Sequence, residues 1–191
     1  MKTRCAWCGS DPLYMAYHDD EWGVPVHDDR LLLEFLILEG AQAGLSWLTI
    51  LKKRDNYRKA FDHFQFERIA RYTEKDVNRL LTDEGIIRNR LKIESAIRNA
   101  QGALRIRKEH GSLNAFLWRY VDGTPLQNTW TSMKEIPVQT RQSEAMSRDL
   151  KKLGFNFVGP TICYAFMQAV GMVNDHTTEC YRYREIMKLA R

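Results

Sequence analysis

Five residues able to ligate a metal lie in two clusters at opposite ends of this 191-residue chain: Cys5, Cys8 and His18 near the start, His176 and Cys180 near the finish. The i,i+4 spacing of His176 and Cys180 places both side chains on one face of a helical turn, where they could share an ion. Completed by the N-terminal cluster, that half-site would clasp the two ends of the chain together. Spacing alone leaves the matter open. The halves are far apart, no one-piece finger motif is present, and unrelated thiols and imidazoles account equally well for the count.

A second candidate is Glu39, which ends the apolar run Leu31-Leu32-Leu33-Glu34-Phe35-Leu36-Ile37-Leu38. A helix apolar on nearly every side is buried on most faces, and a carboxylate at its end is costly unless paired, hydrogen-bonded or protonated. Gly40-Ala41-Gln42-Ala43-Gly44-Leu45-Ser46-Trp47 follows, a small-residue turn with one large aromatic, while Trp7, Tyr14, Tyr17 and Trp22 crowd the segment upstream. Such a set could stack on a flat ring, read its polar edge through Glu39 and favour a cationic ligand. The competing account is ordinary aromatic core, with Glu39 capping a helix or pairing with an arginine.

A third is Leu150-Lys151-Lys152-Leu153-Gly154-Phe155-Asn156-Phe157-Val158-Gly159-Pro160-Thr161-Ile162. Gly154 stops one helix in a left-handed cap, Phe155, Phe157 and Val158 anchor a short hairpin, and Pro160 opens the next helix. Gly159 leaves the N–H groups of that helix end unobstructed, a geometry that binds phosphate without reading sequence, with Lys151 and Lys152 adding charge. A plain αα-hairpin has the same outline. Gly85-Ile86-Ile87-Arg88-Asn89-Arg90-Leu91-Lys92 is a weaker basic site, read as a solvated helix face.

The elements that must position these residues follow helix grammar. Asp28 or Asp29 caps a helix to Glu39 and Gly40, and Ser46 opens one running to about Phe61. Thr73-x-x-Asp76 starts a short helix ending at Gly85. A long basic helix is expected from about Arg88 to Lys108, with Leu91, Ile93, Ala96, Ile97 and Ala100 on its apolar side. Ser112 caps a short helix through Trp118, residues 121–142 form a connection, and helices follow at 143–153 and 160–170. Strand alternation is absent, so the expected class is all-α in one domain over 1–191. No apolar run reaches 18 residues, so no membrane span is expected, and Met1-Lys2-Thr3-Arg4-Cys5 lacks the apolar region of a leader. Four cysteines in such a chain suggest thiols or ligands rather than disulfides, with Cys163 a core thiol. Lys and Arg number 29 against 24 Asp and Glu, and a net charge of +5 suits a polyanionic partner without requiring one.

Several segments together resemble the 3-methyladenine DNA glycosylase I family, within the helix–hairpin–helix DNA repair superfamily. They are Asp11-Pro12-Leu13-Tyr14, Tyr17-His18-Asp19, Glu21-Trp22-Gly23-Val24-Pro25, the run Leu38 to Trp47 quoted above, and Gly85-Ile86-Ile87-Arg88. Phe157-Val158-Gly159, Thr161-Ile162-Cys163-Tyr164, Phe166-Met167-Gln168 and Val173-Asn174-Asp175-His176 continue the likeness, which extends to Cys180 but not into the tail 181–191.

The resemblance implies a helix–hairpin–helix glycosylase fold whose N- and C-terminal segments are joined by one structural zinc on Cys5, His18, His176 and Cys180. Cys8 departs from the family pattern and is the alternate ligand. It further implies that Glu39 and Tyr17 hydrogen-bond a flipped base, that Trp47 stacks on it, and that Trp7, Tyr14 and Trp22 form the walls. Gln42, Gly44 and Leu45 belong to the implied wedge, with Leu45 the apolar plug, and Gly159 with Phe157 and Thr161 holds the phosphate backbone. The implied reaction is hydrolysis of the bond joining 3-methyladenine to deoxyribose in double-stranded DNA, leaving an abasic site. The superfamily's usual catalytic aspartate has no counterpart in its place. Asp175 is the nearest, and its position beside His176 suggests that it orients the zinc site. No lysine occupies a Schiff-base position, so no lyase step is expected. The enzyme is expected to be a cytoplasmic monomer acting on chromosomal DNA, with no obligate protein partner.

Overall fold

A computed structural model describes residues 2–189. Its first helix, α1 (Pro12–Asp20), is opened by Asp11, whose side chain accepts from the N–H groups of Leu13 and Tyr14, with Pro12 at the first helical position. This helix is not expected from periodicity, because its buried side is polar and aromatic: Tyr14, Tyr17 and His18 share it. α2 (Asp29–Gln42) is capped by Asp28 and is buried without a break from Leu32 to Ala41. Its neighbour Asp29 serves another helix, accepting from the N–H groups of Leu113 and Asn114. Ser46 caps α3 (Trp47–Ala60).

α4 (Phe66–Ile69) is a single turn that sequence reading does not anticipate, and α5 (Glu74–Thr82) opens with the expected Thr73/Asp76 capping box. Asn89 caps α6 (Arg90–His110), which begins two residues later than expected. Its apolar face buries Ile93, Ala96, Ile97 and Ala100, but Leu91 is 66% exposed. Ser112 caps α7 (Leu113–Trp118). α8 (Arg141–Lys152) is capped by Thr140 rather than opening at Ser143, and a hairpin over 153–159 leads to α9 (Pro160–Ala169) and finally α10 (Tyr181–Leu189). The chain is mostly helical, as expected. The exception is a short parallel pairing of β1 (Leu126–Gln127) with β2 (Val173–Asn174), too brief for alternation to signal it.

α2 runs through the middle, with α3, α6, α7 and α9 packed around it. Glu39 and the turn after it are therefore held from several sides at once. α9 is followed by Gly171 at φ +71°, where an added Cβ would come within 2.6 Å of the backbone of Gly23, Val24 and Pro25. That contact seats the segment carrying Trp22. Gly171→Ala is expected to lower stability by about 2 kcal/mol or more, read as a fall in the denaturation midpoint, since neither the backbone angle nor the space suits a side chain.

Candidate active site

The aromatic residues upstream of Glu39 converge instead of dispersing into the core. Trp7 lies 4.9 Å from Tyr14 and 5.0 Å from Trp22, ring centre to ring centre, and Tyr17 lies 5.6 Å from Trp47. With Glu39 and Gln42 they line a cavity of about 220 Å³, to which Met133, Ala165 and Gln168 also contribute. Each wall comes from a different element: Tyr14 and Tyr17 from α1, Glu39 and Gln42 from α2, Trp47 from the start of α3, and Ala165 and Gln168 from α9. Met133 and Ala165 carry no signal that reading the sequence alone could have used, being ordinary residues placed there by tertiary packing, while Gln168 lies in a segment of the resemblance, Phe166-Met167-Gln168, that carries no assigned role.

Glu39 is the one carboxylate lining this cavity among the described residues, and it is only 5% exposed. Burial, which no hydrogen bond or opposite charge among the described residues relieves, pushes its pKa up to about 8. Neither the helix-capping nor the arginine-pairing account of Glu39 holds: the arginine pair on this helix goes to Glu34, 2.7 Å from Arg58. Tyr17 is fully buried beside it, and burial followed by the charge of Glu39 raises its phenol well above the ordinary value.

A second groove of about 160 Å³ adjoins the first, sharing Glu39, Gln42 and Ala165 and adding Ala43, Gly44, Leu45, Thr161 and Ile162. Gly44 adopts φ +77°, and Leu45, 40% exposed, stands at the turn's tip. Lys92 Nζ donates to the carbonyls of Ala41 and Ala43, each at 2.8 Å, and so fixes the turn from α6. The basic segment 85–92 is thereby accounted for without an anion: Arg88 pairs with Glu84 and Arg90 with Glu74 and Glu94.

The hairpin takes the expected form. Gly154 is left-handed at φ +82°, Phe155 and Val158 are buried, and Phe157 packs where a Cβ on Gly40 would lie 3.0 Å from its own. Gly159 caps α9, and open space surrounds the place a side chain there would fill. Packing therefore does not demand glycine at 159. The amides of Thr161 and Ile162 sit at the open end of this helix.

At the chain's ends, Cys5, His18, His176 and Cys180 are all buried, and their ligand atoms lie within 4.8 Å of one another, a set that can hold a metal ion. The Sγ of Cys180 is 3.5 Å from His18 Nε2 and from His176 Nδ1, and Cys5 Sγ is 3.5 Å from the same Nδ1. Each imidazole uses its other nitrogen outward: His18 Nδ1 meets Asp19 at 2.8 Å, and His176 Nε2 meets the Trp22 carbonyl at 3.1 Å. Hydrogen bonding from Cys5, with the two imidazoles assisting, holds the Cys180 thiol far below its usual range.

Residues 176–180 form a turn ahead of α10, not a helix, closed by Cys180 N–H donating to Thr177 O. Cys8 stays outside the cluster, its Sγ 3.9 Å from the Gly9 carbonyl and its thiol raised by burial. Asp175 does not orient the Cys/His cluster. Both its oxygens are taken by Asn128, Trp130, Tyr164 and Gln168, and the orienting groups are Asp19 and Trp22 O. Cys163 is a core thiol as expected, fully buried and 3.4 Å from the Val158 carbonyl.

The family model for methyladenine glycosylases matches residues 7–183, nearly the whole chain. The chain belongs to the methyladenine glycosylase family. DNA-3-methyladenine glycosylase 1 of Escherichia coli (strain K12) is 51% identical over 180 residues, spanning 94% of this chain and 96% of that one. A solved 3-methyladenine DNA glycosylase I superposes with TM-score 0.92 at 53% identity, covering 94% of this chain and 98% of its own. A variant of a 3-methyladenine DNA glycosylase I, solved in complex with 3-methyladenine, superposes with TM-score 0.91 at 39% identity over 93% of this chain and 96% of its own.

Proposed function

We propose that this chain is a DNA-3-methyladenine glycosylase that hydrolyses the N-glycosidic bond of 3-methyladenine in double-stranded DNA and leaves an abasic site. The observation that carries the reading is Glu39: a buried carboxylate without a partner among the described residues, facing an aromatic cavity beside an exposed wedge. Phosphate binding alone needs no such cavity, which sets aside a non-catalytic DNA-binding module.

Leu45 and Gly44 enter the stack as the lesion nucleotide turns out, with Gln42 between the wedge and the cavity. Gly159, Phe157 and Thr161 hold the adjoining backbone through the open end of α9. The extruded base lies on Trp47, with Trp7, Tyr14 and Trp22 around it and Tyr17 and Glu39 at its polar edge. Methylation at N3 makes the base cationic while attached to the sugar, so it departs neutral and needs little acid catalysis. The cation supplies the partner that Glu39 lacks in the empty protein, and neutral adenine supplies none. Orientation and this one charge are the main catalytic resources. Asp175, saturated by four donors, is not available to activate water.

Cys5, His18, His176 and Cys180 would hold one structural zinc. Bonds of about 2.3 Å to sulfur and about 2.0 Å to nitrogen at tetrahedral angles place S and N about 3.5 Å apart, which is the spacing of the three S–N pairs given above. With four protein ligands no position would be left for water, so the ion would supply cohesion, not chemistry. The chain works as a single-domain, monomeric helix–hairpin–helix glycosylase in the cytoplasm, with damaged DNA as its partner.

Incubation with chemically methylated duplex DNA, followed by chromatography of the soluble bases, tests the reading. Free 3-methyladenine is expected, with DNA strands left uncut until alkali opens the abasic sites. Methylated DNA that loses no base would refute it.

A further inference from the structure

Asp175 is completely buried and plays no part in the recognition just described. Its Oδ1 accepts from Asn128 Nδ2 at 2.7 Å and Trp130 Nε1 at 2.8 Å, and its Oδ2 from Tyr164 Oη and Gln168 Nε2, both at 2.7 Å. Four donors fill the acceptor positions of one carboxylate. The network ties the connection after α7 to α9, and one of its members, Gln168, also lines the base cavity.

A glutamine amide has a donor end and an acceptor end, and Asp175 distinguishes them. Turned the other way, Gln168 would set its oxygen against a carboxylate oxygen and leave two buried acceptors facing each other. Nε2 is therefore committed to Asp175. Oε1 is the open end of a side chain at the cavity wall, and no protein group among the described residues donates to it.

We propose that Asp175 is a positioning residue that fixes Gln168 with its oxygen toward the cavity, giving a second acceptor besides Glu39, and that this selects alkylated purines presenting an exocyclic amino group over those presenting a carbonyl. The proposal rests on the base-excision reading above. Adenine carries an amino group at C6, where guanine carries a carbonyl. An acceptor meeting that carbonyl would leave both groups unpaired in a cavity shielded from water, while an amino group satisfies it. At the other end of the network, Asn in place of Asp175 could donate its own N–H to Gln168, allowing the amide to turn its nitrogen to the cavity.

The test compares wild type, Gln168→Leu and Asp175→Asn on methylated duplex DNA containing both 3-methyladenine and 3-methylguanine, measuring kcat/KM for release of each base. Zinc content and melting temperature are measured alongside. Gln168 is only partly buried, so Gln168→Leu keeps the test decisive if Asp175→Asn fails to fold. The preference for 3-methyladenine is expected to fall at least about tenfold in Gln168→Leu, the worth of one hydrogen bond in such a site. A folded Asp175→Asn is expected to lose at least as much preference. A purely structural role would slow both bases alike and leave the ratio unmoved. Wild type releasing 3-methyladenine while Gln168→Leu keeps the wild-type ratio overturns this inference alone. Wild type releasing neither base overturns the base-excision reading and this inference with it.

Discussion

Cys180→Ala is expected to purify without stoichiometric zinc and to melt at least about 10 °C below the wild-type protein. The argument is one of relative size. A structural zinc site contributes on the order of 10 kcal/mol to folding, comparable with the whole stability of an average domain. Here all four residues able to hold the ion are buried, so losing one thiolate would leave the others packed around an incomplete shell. The damage would spread to the cavity, because the Trp22 ring packs 4.6 Å from His176 on one side and 5.0 Å from Trp7 on the other. A strong chelator should reproduce the effect on wild type, and added zinc should reverse it. Elemental analysis with thermal melting decides the matter. Wild-type protein that is free of metal and melts unchanged would remove the clasp.

Glu39→Gln is expected to abolish the pH dependence of excision and to slow it at least about a hundredfold, as removal of one preorganised charge commonly does. In the free protein the carboxyl has a pKa near 8, raised by burial. The form that attracts a cationic base is the ionised one, so kcat/KM should climb as pH rises toward 8 and then level off, since that parameter reports the free enzyme. The stability effect runs the opposite way. The folded pKa lies above the unfolded value near 4.5, so the folded state holds the extra proton between the two. Stability associated with Glu39 is fully present below about pH 4.5 and is lost as pH rises through about 8. Gln at this position has no proton to lose, so the variant should become more stable than wild type by several kcal/mol at alkaline pH while losing activity. Denaturation midpoints across pH 5–9 check this half of the prediction.

Much of the site is legible in the sequence because its parts carry local signals. Asp28, Ser46, Ser112 and the Thr73/Asp76 box each cap the helix expected of them. The unbroken apolar run before Glu39 announced a buried carboxylate, and Gly154 with Pro160 announced the hairpin. What stayed hidden depends on packing between distant segments. α1 presents tyrosines and a histidine to the interior, so it lacks the apolar stripe that marks a helix. Leu91 fits the stripe of α6 yet stands 66% exposed at the first turn of the helix, while Ile93 two residues on is buried. Gln168 and Met133 join the cavity from elements far from Glu39 in sequence. Asp175 shows how adjacency misleads: it neighbours His176 in the chain, but its oxygens face α9 and the connection after α7, and Asp19 orients a ligand in its stead.

The most direct test of the central claim is a single-turnover time course on methylated duplex DNA, with zinc-loaded wild type and Glu39→Gln compared at equal, saturating protein. Wild type is predicted to release 3-methyladenine, and Glu39→Gln to release it at least about a hundredfold more slowly while still binding an abasic-site duplex as wild type does. Equal rates of 3-methyladenine release from the two proteins would contradict the assignment of recognition to the unpartnered carboxylate.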